Sequence, residues 1–237
     1  MSLKELIILG CGPTHAECRY HTETWGVNGC YTFSKRLDKL FMTDGPDQVL
    51  EDVPNAKMIR RYNCPLVLAD RFPGITEEFE KAGIKVDVFP IKEVLEKFNT
   101  RFFSNTIAYM VAYALMLTTT VQEPGDLRPH PVDGYNKIFF YGIDLMTNST
   151  YLVEKGGVEY WMGVALGMGV DVVNTRGSAT GKTWNGRMYG WWGEQPSEKR
   201  KEELRAPWEL VRSVPGPKPI KEWKKIDNDW VKVPYRV

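Results

Sequence analysis

Leu6-Ile7-Ile8-Leu9-Gly10-Cys11-Gly12-Pro13-Thr14-His15 is the stretch that decides the fold. Four apolar residues ending abruptly in Gly-x-Gly-Pro read as a buried strand whose C-terminal end turns sharply and exposes backbone N–H groups. Such a corner can receive an anionic ligand. Outward from it, Trp25-Gly26-Val27-Asn28 and Leu40-Phe41-Met42-Thr43 are two more short strands, the second leading into Asp44-Gly45-Pro46-Asp47. Three early strands that stop at Gly10, Asn28 and Asp44 predict a parallel sheet whose carboxyl edge lines a cleft, although Gly, Asn and Asp are also ordinary turn formers.

Pro65 to Ala69 and Lys85 to Phe89 are further strands, separated by a helix from about Ile75 to Ala82 that Gly83 terminates. Apolar residues at 91, 94, 95 and 98 have the spacing of an amphipathic helix. A longer helix is predicted from Asn105 to about Leu117 with Ser104 or Asn105 as N-cap, apolar nearly all round and therefore buried on most sides. Val121 to Tyr135, rich in Pro and Gly, reads as a loop long enough for a lid or an insertion. Lys137 to Tyr141 is a late strand ending at Gly142-Ile143-Asp144, and a helix from about Val158 to Met168 leads into a strand over Val170 to Val173. The pattern then dissolves. Residues 1–175 form the nucleotide-binding domain on this reading, and 176–237 an irregular Trp/Lys-rich appendage with one helix near Ser197 to Val211, wrapping the domain or making an oligomer contact.

A chain of 237 residues fits one α/β domain with an elaboration, or a domain plus a tail, and a net charge of +1 argues neither for a nucleic-acid coat protein nor for a strongly acidic partner. Basic segments at Lys199 to Lys201, Lys218 to Lys221 and Lys224-Lys225 alternate with Trp208, Trp223 and Trp230, a composition that suits a phosphate-rich surface, diluted by Glu202, Glu203 and Asp227. No stretch approaches the roughly 18 apolar residues of a membrane span, and the N-terminus lacks a signal peptide's basic start and cleavage site, so a soluble cytoplasmic protein is expected. Four cysteines without Cys-x-x-Cys spacing are expected to be reduced thiols.

The glycine loop lacks the third glycine of the dinucleotide fingerprint, and Asn28 stands where that fingerprint wants an acidic residue. A nucleotide phosphate without a nicotinamide fits better. Gly177-Ser178-Ala179-Thr180-Gly181-Lys182-Thr183 is one residue short of a phosphate-binding loop and reads as a flexible loop able to close over a ligand. Cys11, His15, Cys18 and His21 crowd one loop, but more tightly than zinc sites with separated ligand pairs. His15 alone is a general acid or base candidate. Asp44, Asp47 and Asp144 either hold Mg²⁺ beside a diphosphate or cap helices, with capping favoured for Asp47.

Ile8 to Pro13, Gly26-Val27-Asn28, Phe103 to Tyr109 and Lys137 to Asp144 together resemble the Rossmann-like group that contains the family 42 bacterial sialyltransferases and the archaeal 6-hydroxymethylpterin diphosphokinase-like proteins. The resemblance spans roughly residues 5 to 175. It implies an α/β Rossmann-like fold, a mostly parallel sheet with helices on both faces. The sialyltransferase-like reading implies a glycosyltransferase using a CMP- or UDP-type nucleotide sugar. Gly10, Cys11, Gly12, Pro13, Thr14, Asn28, Asp44, Ser104, Asn105, Thr106 and Gly142 would bind substrate, with His15, Asp144, Tyr151 and Glu154 as catalytic candidates. The family's late histidine base has no counterpart, because no histidine follows His130; Glu154 or Glu159 would replace it, or His15 act from elsewhere. The diphosphokinase-like reading implies Mg²⁺ held by Asp44. A third reading is a non-catalytic nucleotide- or nucleic-acid-binding module, and the acceptor of a transferase would be a glycan or a nucleic acid.

Overall fold

The chain divides into two units, Met1–Thr183 and Trp184–Val237. The computed structural model describes residues 3–145, 149–175, 178, 180–181, 222–226 and 229–233. In the first unit, strands β1 (Lys4–Leu9), β2 (Glu23–Val27), β3 (Lys39–Met42), β4 (Leu66–Leu68) and β5 (Val86–Val88) run outward from the centre of one parallel sheet. A small antiparallel pair, β6 (Thr119–Val121) and β7 (His130–Asp133), precedes β8 (Tyr135–Tyr141), which returns to the free edge of β1 and is followed by β9 (Asp171–Asn174). The seven-stranded order is β5-β4-β3-β2-β1-β8-β9. With the flanking helices this is a Rossmann-like α/β fold, and its switch point lies between β1 and β8, where open parallel sheets place their crevice.

Leu6, Ile7, Ile8 and Leu9 are all fully buried, which is why β1 is continuously apolar instead of alternating. Trp25 of β2 anchors an aromatic cluster, its ring 5.3 Å from Phe41 and 5.6 Å from both Tyr113 and Tyr135. Helices α1 (Pro46–Asp52), α2 (Ala56–Arg60), α3 (Ile75–Lys81) and α4 (Ile91–Phe98) follow the early strands. Helix α5 (Thr106–Met116) packs across β1, β2 and β3, with α4 and α6 (Ser149–Gly167) against its other sides. An apolar circumference is the sequence signature of such a position. Both ends of α5 are closed: Asn105 Oδ1 accepts from Ala108 N–H at 3.0 Å, and Lys97 Nζ donates to the carbonyls of Leu115, Met116 and Thr118 at 3.0, 3.0 and 2.9 Å.

Four expectations change. The segment from Val121 to Tyr135 is not all loop, because β-branched Thr119–Val121 pairs antiparallel with His130–Asp133 and leaves the Pro/Gly-rich residues at the tip. Helix α6 starts well before Val158 and runs through Gly156-Gly157. Helices α1 and α2 were not foreseen; each buries one or two side chains, Val49 in the first and Ala56 and Ile59 in the second, too few to print a periodicity. In the second unit, β10 (Glu222–Ile226) and β11 (Asp229–Val233) form an antiparallel hairpin inside a region read as irregular. The expected helix near Ser197 to Val211 lies outside the described residues. Among the described residues no helix is long and apolar enough to cross a membrane.

Gly10 and Gly142 make the sheet's centre possible: a Cβ on either would collide with the other's carbonyl oxygen, and Gly142 has φ +68°. Gly142→Ala should therefore lose about 3 kcal/mol, combining left-handed strain with overpacking. Gly163→Ala on α6, where a Cβ meets nothing within 4 Å, should gain about 0.5–1 kcal/mol. Urea unfolding of the two variants reads out the opposite signs.

Candidate functional site

The loops after β1 and β8 cross. Gly10 N–H donates to the Tyr141 carbonyl and Gly12 N–H to the Gly142 carbonyl, both at 2.7 Å. Asp144 closes the crossing from the β8 side: Thr14 N–H reaches Oδ2 at 3.0 Å and Thr14 Oγ1 donates to Oδ1 at 2.7 Å, while Thr14 Oγ1 accepts from Gly142 N–H at 2.9 Å. Both residues are buried. This overturns the expected anion cradle of glycine amides, because those amides are spent on the neighbouring loop. Pro13 has no N–H to give. Among the described residues, Cys11 N–H is the loop amide left without an acceptor.

A cavity of about 580 Å³ opens over this crossing, and the sequence-predicted residues Gly10, Cys11, Gly12, Pro13, Asn28, Asp44, Ser104, Asn105, Thr106, Gly142, Asp144 and Glu154 all line it. Two predicted residues stand elsewhere. Thr14 lies behind the loop as Asp144's partner. His15 is half-buried and does not line the cavity, its Nδ1 2.9 Å from the Gly12 carbonyl and its ring 4.1 Å from that of Phe33, so the base expected of it is not brought to this cavity. The side chain of Tyr151 lies outside the described residues. Val27, which directly precedes Asn28, lines the cavity too and was missed, as were Gln48, Ile107, Ile143 and Leu145. Gln48 lies on unforeseen α1; the others directly adjoin predicted residues and were legible by adjacency.

One wall carries acceptors. Asn28 ends β2 with φ +45°, and its Nδ2 donates to Asp44 Oδ2 at 2.6 Å. A carboxylate cannot donate, so this bond fixes the amide's orientation and leaves Oδ1 pointing away from Asp44. That Oδ1 is buried with no hydrogen-bond partner. An orphaned buried carbonyl costs about 1–3 kcal/mol and is satisfied by a donor, not by a phosphate oxygen.

The start of α5 brings donors to the same cavity. With Ala108 N–H taken by Asn105, the first amides of α5, on Thr106 and Ile107, sit at the positive end of the helix dipole on the cavity surface. Helix α6 holds this end in place. Ser104 Oγ donates to the Glu154 carbonyl at 2.7 Å and Trp161 Nε1 to the Phe102 carbonyl at 2.9 Å. A Cβ on Gly157 would collide with Ser104 Oγ, which explains a glycine in mid-helix. The same contact brings Glu154 to the cavity, its Oε2 3.4 Å from Asn105 Nδ2.

The Gly/Ser/Thr stretch behaves as a support where its residues are described. Ser178 Oγ donates to the Ile143 carbonyl at 2.7 Å and lies 2.6 Å from Thr180 Oγ1, and both side chains are buried behind the β8 loop. No group of three or more His, Cys, Asp or Glu side chains converges as a metal set among the described residues. The crowded loop disperses: Cys18 is buried, His21 lies 3.7 Å from Glu5, and Cys11 Sγ faces Cys30 Sγ at 3.6 Å. The hydrogen-bonding contact between the two sulfurs lowers the pKa of Cys11, while burial raises that of Cys30 well above a free thiol's. Asp47 sits in the first turn of α1, where a negative charge suits the helix dipole.

Asp144→Ala should cost about 3 kcal/mol, because it strands two buried donors of Thr14, and Thr14→Val about 1–2 kcal/mol. In the double variant the losses should fall short of additive by about 1 kcal/mol or more, read by denaturant titration of all four proteins. Compared with known proteins, the chain matches no family model, no curated protein and no solved structure.

Proposed function

We propose that the chain is a transferase that binds an activated nucleotide in this cleft, and that it is a nucleotide-sugar glycosyltransferase. The observation that carries the reading is the presence of unlike groups, acceptors and donors, on the lining of one cavity. An unsatisfied acceptor, Asn28 Oδ1, stands beside Asp44, and the α5 N-terminus with Cys11 N–H supplies donors. A nucleotide has both complements, since its ribose hydroxyls donate to Asn28 and Asp44 and its phosphate accepts from the amides. In glycosyl transfer those amides stabilise the charge that develops on the departing phosphate. Glu154, a carboxylate on the cavity wall, is the group to accept the proton of an acceptor hydroxyl, in place of the histidine missing after His130. Asp144 acts as a clamp in this scheme, with both oxygens committed to Thr14.

A second reading, a Mg²⁺-dependent diphosphokinase, draws on a smaller cavity of about 180 Å³ that shares Asn28 and Asp44 and adds Glu51 and Asp52. A carboxylate-rich opening beside a phosphate site suits Mg²⁺, which keeps waters and phosphate oxygens among its ligands.

Thermal-shift measurements on the full chain with CMP, UDP, GDP and ATP, each with and without Mg²⁺, test both. The expected outcome is metal-independent stabilisation by CMP or UDP, about 5–10 °C at ~100 times Kd. Strictly Mg²⁺-dependent stabilisation by ATP, lost in Asp44→Asn, would select the second reading, and no shift with any nucleotide would overturn both. Asn28→Gly keeps the left-handed backbone and should weaken nucleotide binding about tenfold or more. Glu154→Gln should retain the shift but slow release of the nucleoside phosphate from the sugar donor by about 10²–10⁴.

A further inference from the structure

Cys11 follows β1 and Cys30 lies in the one-turn 3₁₀ segment Asn28–Thr32 that follows β2. Leu9 pairs with Gly26 in the parallel ladder, so the two turns leave the sheet side by side. Their Sγ atoms stand 3.6 Å apart. A disulfide bond is about 2.0 Å long, so modest movement of the Cys11 loop closes the gap. The two thiols differ in access: Cys11 is exposed on the cavity wall, whereas Cys30 is fully buried with its Sγ donating to the Leu9 carbonyl at 3.1 Å.

We propose that Cys11 and Cys30 form an oxidant-responsive dithiol site in which Cys11 reacts with a hydroperoxide and Cys30 resolves the product to a disulfide. The Cys11 thiolate attacks the terminal peroxide oxygen and the O–O bond breaks. The attacked oxygen keeps its hydrogen, so Cys11 is left as the sulfenic acid, and the departing oxygen takes up the proton the thiol gave up and leaves as water, or as an alcohol from an organic peroxide. Cys30 sulfur then attacks the Cys11 sulfur, the S–O bond breaks, and the Cys30 proton leaves with that oxygen as a second water. The two sulfurs together lose two electrons and the peroxide gains them. Hydrogen bonding that favours the Cys11 thiolate supports the assignment of attacker. Cys18 and Cys64 are poor competitors, both buried, with the Cys64 thiol pushed up to about 11 by that burial. The site stands whether or not the cleft binds a nucleotide.

The full chain, fully reduced and then treated with hydrogen peroxide, gives the decisive readout without mutation. Titration of free thiols should fall by two of the four cysteines, the intact mass should drop by two hydrogen atoms, and dithiothreitol should restore both. Cys11 and Cys18 fall in one tryptic peptide, so fragment ions must place the cross-link between Cys11 and Cys30. A cross-link from Cys18 or Cys64 overturns the proposal, as does retention of all four thiols, or a stable sulfenic or sulfinic Cys11 in the unmutated chain. In Cys30→Ser, a Cys11 sulfenic acid trapped by dimedone supports the resolving role, and a disulfide formed through another cysteine counts against it.

Discussion

Gly10 and Gly142 approach so closely that each occupies the space where the other's Cβ would stand, and the rest of the first unit is arranged around that contact. The contact joins parts of the chain about as far apart as the Thr14–Asp144 bond, whose partners are separated by 130 residues. Neither loop can adopt its shape until β8 has docked beside β1. Once it has, two backbone hydrogen bonds and the buried Thr14–Asp144 pair lock the crossing. The lock has a chemical consequence. A glycine loop that would otherwise present a row of amides to an anion spends them on its neighbour, and the task of offering N–H groups passes to Cys11 and the first turn of α5.

That transfer makes the placement of α5 the second determinant of the site. Its body is fixed by apolar packing on the sheet, and its N-terminal end by α6 through Ser104 and Trp161. A glycine inside a helix costs about 1 kcal/mol in intrinsic propensity. Gly157 is compatible with a stable α6 because its missing side chain admits Ser104 and the hydrogen bond to the Glu154 carbonyl. The carbonyl that accepts this bond and the carboxylate on the cavity wall belong to the same residue, so the crossing of two helices also determines where Glu154 sits.

Strand ends were the legible part of the sequence. A strand covered on both faces must be continuously apolar, and parallel strands all finish at one edge, so Gly10, Asn28, Asp44 and Gly142 could be gathered into one cleft before any coordinates. Asn105 was legible as a cap because its helix begins directly after it. The fate of the loop amides was not legible, since it depends on a crossing between distant backbones, and the same crossing makes Asp144 a clamp. The helix expected from about Val158 begins earlier and runs through Gly156-Gly157, because propensity is local whereas the reason for Gly157 is a serine on another segment. Helices α1 and α2 escaped because one or two buried side chains do not make a period, and with α1 went Gln48.

The two walls of the cleft follow from the fold's geometry. Strand ends and the turns after them carry the acceptors, here Asn28 Oδ1 and Asp44, while the helix entering the same edge arrives amides first. A bare phosphate would use the helix wall and leave the Asn28 carbonyl unsatisfied. A bare sugar would satisfy Asn28 and leave the helix dipole facing solvent. A ligand that joins hydroxyl donors to an anion within a few bonds engages both walls, and each part then offsets a desolvation cost the other cannot. It is this pairing of opposite hydrogen-bonding needs, more than any single residue, that the proposed nucleotide would satisfy.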